Sequence, residues 1–225
     1  MPHLIIFDLD GTLVDSRLDL AASANALLEG FGARPLAVEQ VVAMVGEGAR
    51  VLVERVLHAA GVNADLPKAL EQFLEIYDDK LVDHTRLYSG VRDTLQALDG
   101  AAALTLLTNK PGHHTERLLA ALDIRRFFST VIGGDSAWPR KPDPAGLLHL
   151  IDINGASPQT TVMVGDSMVD VETAQRAFAH ICVARYGFGR LPDADAFGPD
   201  ALIASAPSDL LALLTGFVGD GRPAR

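Results

Sequence analysis

The chain has 225 residues, 48% of them hydrophobic and 21% charged, with a formal net charge of −10 and a pI of about 5.0. Its hydrophobic content argues against disorder, and its length predicts either one large domain or a core domain carrying an insertion. The acidic balance argues against nucleic acid or an anionic membrane as a partner, so an anionic substrate needs local help from a cation, a lysine or aligned backbone amides.

Cys182, the single cysteine, lies in the apolar run HICVA and reads as a small buried hydrophobe. No intrachain disulfide can form, so a reducing, cytoplasmic compartment is expected. The opening MPHLIIFDLD has no basic stretch and too short an apolar run for a signal peptide. No segment reaches the ~18 apolar residues of a membrane span. Oligomeric state is not encoded in any pattern here, and monomer and homodimer both stay open.

The run LIIF from Leu4 reads as a buried strand that ends directly in Asp8 and Asp10. From Asp15 to about Leu87 helical periodicity takes over, with no convincing strand. LDLAASANALLEGF, AVEQVVAMVG, ARVLVERVLHAAG and LPKALEQFLEIYDDKLVDH each read as a helix, divided by Gly or Pro. LYSGVRDTLQAL follows as a turn and a helix. Beyond it, ALTLLT from Ala103, TVI from Thr130, TVMVG from Thr161, ICVA from Ile181 and ALI from Ala201 read as strands. They are apolar at consecutive positions, as expected where both faces of a parallel sheet are covered. Helical stretches alternate with them. The pattern predicts an α/β fold: a doubly wound, Rossmann-like parallel sheet, interrupted after its first strand by an inserted all-helical domain. Residues 1–15 and 88–225 are expected to form the core, and residues 16–87 the helical domain.

Open α/β sheets bind ligands at the carboxyl ends of their strands. The polar residues expected there are Asp8 and Asp10; Thr108, Asn109 and Lys110; Lys141 in a loop; and Asp166, Ser167 and Asp170. Two carboxylates two residues apart repel unless positive charge lies near them. Together with Asp166 they make a set of hard oxygen ligands that suits Mg²⁺, and Lys141 adds further positive charge. One aspartate in such a site can attack phosphorus and form an aspartyl-phosphate. The other can protonate the departing oxygen and then activate water. The tight DGT turn at Gly11 and Thr12 is expected to aim backbone N–H groups at the phosphoryl oxygens, with Thr108 and Lys141 holding them in place.

DLDGTLVDS, LLTNK, RKPDP and VGDSMVD resemble, in that order, the four motifs of the haloacid dehalogenase superfamily of phosphatases. The helical insertion resembles that superfamily's cap. LYSGVRDTLQAL, TNKPGHHT, GGDS with RKPDP, and RYGFG are most similar to the bacterial phosphoglycolate phosphatases. The resemblance implies that Asp8 is the nucleophile and a metal ligand, and that Asp10 is the acid/base and binds metal through its backbone carbonyl. It implies that Thr108 and Lys141 bind phosphate with Asn109 adjacent, that Asp166 completes the protein ligands to Mg²⁺, and that Asp170 supports them from behind. Met168 and Val169 stand where many members carry a cation and an amide, but both aspartates are kept. The loop VGEGAR corresponds to a cap loop that reaches the active site. Gly46 and Gly48 would permit close approach there, and Arg50 is the candidate to grip a substrate carboxylate. His113 and His114 are expected to be exposed at a helix start, and YDD at Tyr77 to form a solvated helix face.

The implied function is Mg²⁺-dependent hydrolysis of a small phosphorylated metabolite, with 2-phosphoglycolate giving glycolate and phosphate as the leading substrate. Phosphatases for amino-sugar phosphates, sugar phosphates or pyrophosphate share these motifs. A phosphoglucomutase, and a catalytically silent binding protein on the same fold, are the more distant readings. A haloacid dehalogenase would not need Asp10.

Overall fold

The computed structural model describes residues 2–220. The strand β1 (Leu4–Phe7) is followed by the two-residue β2 (Val14–Asp15) and then by four helices: α1 (Arg17–Gly30), α2 (Val38–Val42), α3 (Ala49–Ala59) and α4 (Leu66–Lys80). The chain returns through β3 (Arg86–Leu87) and α5 (Val91–Leu98) to β4 (Ala103–Leu107), α6 (Gly112–Ala121) and β5 (Thr130–Ile132). There follow α7 (Ala145–Ile153), β6 (Thr161–Gly165), α8 (Met168–Arg176), β7 (His180–Ala184), β8 (Leu202–Ala204) and α9 (Asp209–Asp220).

Among the described residues, six strands pair in parallel in the order β5-β4-β1-β6-β7-β8. Their consecutive apolar residues divide between two cores, as the two-residue period of a strand requires. Ile5 and Phe7 join Leu118 of α6 and Leu214 of α9 on one face. Leu4 and Ile6 join Leu147 of α7 and Val171 of α8 on the other. The chain leaves β1 for β4 and β5 on one side, then crosses back to β6 on the other. β1 therefore sits at the switch in strand order, where a crevice opens beyond the carboxyl ends. Register fixes what lies there. Phe7 is level with Leu106 of β4 and Val164 of β6. Asp8 thus emerges from the sheet together with Thr108 and Asp166, one position behind each in register.

The segment between β2 and β3 is a helical cap, as its periodicity predicts. Two features differ from the sequence expectation. The cap is closed at its base by an antiparallel ribbon that pairs Val14 with Leu87 and Asp15 with Arg86. Two residues per strand are too few to leave a periodic signature. The second helix is also shorter than the stretch AVEQVVAMVG suggests, ending at Val42. Gly46 and Gly48 follow with φ of 126° and 93°, which no helix accommodates.

The buried Asp19 of α1 ties the two connections together. Its carboxylate accepts hydrogen bonds from the backbone amides of His84 at 3.0 Å and Thr85 at 2.7 Å, and from Thr85 Oγ1 at 2.7 Å. Burial works to raise its pKa, but these donors outweigh it and hold the carboxyl below its ordinary value. Asp19→Ala leaves three donors unsatisfied, two of them main-chain, and is expected to lower stability by roughly 3 kcal/mol at pH 7. The group titrates lower when folded than when unfolded. Its stabilisation is therefore complete above the unfolded value near pH 4 and lost as pH falls through the folded value. Urea unfolding of both proteins at pH 7 and near pH 3 checks this, with the gap expected to narrow in acid.

Candidate active site

Asp8, Thr108 and Asp166 all line one cleft between the sheet's carboxyl edge and the cap. Lys141 enters from the loop before α7 and is 4% exposed. Its Nζ lies 2.9 Å from Asp8 Oδ1 and 2.5 Å from Asp170 Oδ1. Burial disfavours the ammonium, but Asp170 and Asp8 outweigh it and hold Lys141 charged, above the ordinary lysine range. Ser167, at the head of α8, donates from its amide and its Oγ to Asp170 Oδ2 at 3.1 and 2.6 Å. Asp170 is thereby fixed behind Lys141.

Asp166 Oδ2 accepts from the backbone amides of Phe188 at 3.0 Å and Gly189 at 2.9 Å. Gly11 packs against this carboxylate with φ of 84°, and a Cβ there would stand 2.1 Å from Asp166 Oδ2. Only glycine fits both the conformation and the space.

Carboxylate oxygens of Asp8, Asp166 and Asp170 all lie within 4.8 Å of one another. Such crowding has an electrostatic cost. Burial pushes Asp8 up to about 6; Lys141 opposes the shift and Asp170 adds to it. Asp166 is raised well above its ordinary value by burial and by the charges of Asp170 and Asp8, despite the two amides. Asp8 Oδ1 is buried, with the Lys141 ammonium 2.9 Å away but not aligned for a hydrogen bond. A buried, poorly satisfied carboxylate oxygen beside further carboxylates is the kind of hard donor set a divalent cation such as Mg²⁺ takes.

Asp10 lies at the same edge. Its Oδ1 accepts from Ser16 Oγ at 2.7 Å, and Lys110 Nζ is 3.1 and 3.0 Å from its two oxygens. Lys110 Nζ also reaches Tyr77 Oη of the cap at 2.5 Å and lies 4.5 Å from the centre of that ring. Asn109 Nδ2 donates to the carbonyl oxygens of Lys141 and Gly46, each at 3.0 Å, binding the cap loop to the core. Gly46 and Gly48 both line the cleft. A Cβ on Gly48 would lie 3.1 Å from the Asn109 carbonyl oxygen.

Several expected contacts are absent. The amides of Gly11 and Thr12 are used within their own turn, donating to Val14 O at 2.9 Å and Leu9 O at 3.2 Å. Neither amide is left to donate to a phosphoryl group, and neither residue lines the cleft. Arg50 is exposed and also lies off the cleft. Ala49 and Leu52 line it, and a residue next to Ala49 on α3 is turned ~100° round the helix. His113 is exposed as expected, but His114 is buried and stacks on Tyr77 with ring centres 5.4 Å apart.

Tyr77 is not on a solvated face; it is 2% exposed. Its signal was the spacing of Ala69, Phe73 and Tyr77, four residues apart on one stripe of α4, all buried. Ser16, Phe188 and Gly189 had no such signal, because their role follows from where the turns bring them.

The chain matches the family described as haloacid dehalogenase-like hydrolase over residues 5–184. A phosphoglycolate phosphatase of Pseudomonas putida (strain KT2440) is 41% identical over 221 residues, covering 96% of this chain and 80% of that protein. One from Chromobacterium violaceum is 38% identical over 206 residues, covering 89% of this chain and 91% of that protein. Among solved structures, that of a predicted phosphoglycolate phosphatase from Haemophilus somnus 129PT superposes with a TM-score of 0.88 at 32% identity, covering 94% of this chain and 97% of that one. The fold, the order of the motifs and these matches agree: the chain belongs to the haloacid dehalogenase-like hydrolases.

Proposed function

We propose that the protein is a Mg²⁺-dependent phosphomonoester hydrolase that converts 2-phosphoglycolate to glycolate and phosphate through an aspartyl-phosphate. The observation that carries this reading is the buried group of Asp8, Asp166 and Asp170 around Lys141, with Asp10 two residues from Asp8 on the same cleft. The names of the curated relatives support the choice of substrate. In this reading residues 1–15 and 88–225 are the catalytic core and residues 16–87 the cap.

Asp8 and Asp166, with the Asp10 backbone carbonyl, would hold Mg²⁺; when bound, the ion neutralises charge on the phosphoryl oxygens and the nucleophile. Asp8 attacks phosphorus, and the bond to the glycolate oxygen breaks. Asp10, placed by Ser16 and Lys110 and entering this step in its protonated form, gives its proton to that oxygen. It then takes a proton from the water that attacks phosphorus, which releases phosphate and restores Asp8. Lys141 and Thr108 bind the phosphoryl oxygens. Asp170 and Ser167 keep Lys141 in place. The cap loop at Gly46 and Gly48 closes over the crevice and excludes water.

Among the described residues no helix is long and apolar enough to cross a membrane. A cytoplasmic enzyme acting on a small phosphorylated metabolite, with no nucleic-acid or membrane partner, fits the acidic net charge of the chain and the buried, unpaired Cys182.

The test is kcat/KM on a panel: 2-phosphoglycolate, an amino-sugar phosphate, glucose 1-phosphate, pyrophosphate and p-nitrophenyl phosphate, each with Mg²⁺ and with EDTA. The expected result is the highest value on 2-phosphoglycolate and loss of all turnover in EDTA. A higher value on another ester moves the substrate assignment to that ester. Turnover that survives thorough chelation removes the metal from the mechanism.

A further inference from the structure

Resting on the phosphatase reading, we infer that Lys110 recognises the substrate's leaving group: its ammonium takes the negative charge carried by the alcohol half of the phosphoester, a carboxylate, and Tyr77 positions it for that contact.

Among the described residues that line the cleft, Lys110 is the one cation. Lys141, held by Asp8 and Asp170, is committed to the phosphoryl oxygens and does not serve the leaving group. The cap's side of the cleft is mostly apolar, with Leu20, Val45, Leu52, Phe73 and Leu74, and its Tyr77 hydroxyl is taken by Lys110. These walls offer the hydroxyl groups of a sugar no partners. A short leaving group with one negative charge meets apolar carbon on the cap side and an ammonium on the core side.

Charge balance points the same way. A phosphate ester that also carries a carboxylate enters a crevice already holding Asp8, Asp10 and Asp166. Arg50 of the cap does not reach it. Lys110 is the positive charge within reach that lies beyond the phosphoryl-binding group.

Lys110 is also unusual as a purely structural residue. Its side chain is 3% exposed, and a buried ion pair contributes little net stability. Lys110 carries three N–H donors. Its Nζ reaches both Asp10 oxygens and Tyr77 Oη; where one N–H is shared between the two oxygens of Asp10, one is left for a ligand. Tyr77 comes from α4 of the cap, whereas Lys110 follows β4 of the core. The recognition group is thus assembled where cap and core meet.

The test compares 2-phosphoglycolate with ethyl phosphate, which has the same two-carbon leaving group without the carboxylate. Both, with p-nitrophenyl phosphate as a common reference, are assayed with Mg²⁺ on the wild type, Lys110→Met, Lys110→Arg and Tyr77→Phe, with circular dichroism to confirm folding. Lys110→Met is expected to lose roughly 10- to 100-fold in kcat/KM on 2-phosphoglycolate, as for a charged hydrogen bond. Because Lys110 also holds Asp10, turnover of ethyl phosphate is expected to fall as well, and the readout is the further loss on 2-phosphoglycolate, about tenfold or more. Lys110→Arg should keep most of the preference. Tyr77→Phe should show a smaller loss with the same selectivity, and it serves alone should Lys110→Met not fold. Equal losses on both esters, or a preference that survives Lys110→Met, would overturn the inference and leave the phosphatase reading standing. A wild type that hydrolyses p-nitrophenyl phosphate but does not prefer 2-phosphoglycolate over ethyl phosphate overturns both the inference and the substrate. A wild type that hydrolyses none of the three defeats the phosphatase reading itself, and the inference with it.

Discussion

Asp8→Asn is expected to lower kcat on every phosphate ester by about 10⁴-fold or more, because an amide cannot form the aspartyl-phosphate; each ~1.4 kcal/mol of barrier is tenfold. The loss should come without loss of fold. Asn has nearly the shape of Asp, and Lys141 keeps its 2.5 Å contact with Asp170. The substitution should even stabilise the metal-free protein, since it removes one charge from a buried cluster of three carboxylates. The pH dependence has a definite sign. Folding raises the Asp8 carboxyl from its ordinary 3.8 to about 6, so the ionised group costs stability once pH passes the unfolded value. In EDTA the variant should therefore melt above the wild type at pH 8, with the difference shrinking below pH 6 and gone near pH 4. With Mg²⁺ the order should reverse at pH 8, because the ion stabilises the wild-type ligand set. Thermal melts at three pH values, with and without Mg²⁺, separate these cases. More than a few per cent of wild-type turnover in the purified variant would end the covalent mechanism.

That Asp8, Thr108 and Asp166 share a cleft was legible from sequence for a reason specific to parallel sheets. Each follows an apolar run of four or five residues, and parallel register brings the ends of neighbouring runs level. Lys141 and Asp170 were legible through the motif resemblance, not through periodicity. What sequence left hidden depends on tertiary placement. The direction of Arg50 depends on the phase at which α3 begins, which is set by the turn at Gly48 with its φ of 93°. That phase presents Ala49 and Leu52 to the cleft. The role of Lys110 was hidden because the partners of a strand-end lysine are not local. Asp10 is 100 residues away in sequence and Tyr77 is 33. The DGT turn misled in the opposite direction. A turn that tight bonds its own amides to Leu9 and Val14, so compactness consumed the donors it was expected to offer.

Asp10→Asn is expected to lower kcat on 2-phosphoglycolate by about 10²- to 10⁴-fold, the usual worth of a positioned acid/base. The geometry isolates that role. An Asn side-chain oxygen can still accept from Ser16 Oγ and Lys110 Nζ, so the side chain keeps its place at the cleft. The proposed metal contact is the backbone carbonyl, so Mg²⁺ affinity by calorimetry should not change. Only the ability to carry a proton is removed. The two halves of the reaction should then separate according to the leaving group. Glycolate leaves as an alkoxide that must be protonated, so the first step slows. Nitrophenolate leaves without help, so p-nitrophenyl phosphate should still phosphorylate Asp8. Attack of water on the aspartyl-phosphate still needs a base, so the phosphoenzyme should accumulate. The expected trace is a burst of nitrophenolate equal to the enzyme concentration, followed by slow turnover, with acid-stable phosphate on the protein at the plateau. Asp8→Asn should show no burst. Steady-state activity of Asp10→Asn on 2-phosphoglycolate equal to that of the wild type would assign the proton transfers to another group on the cleft.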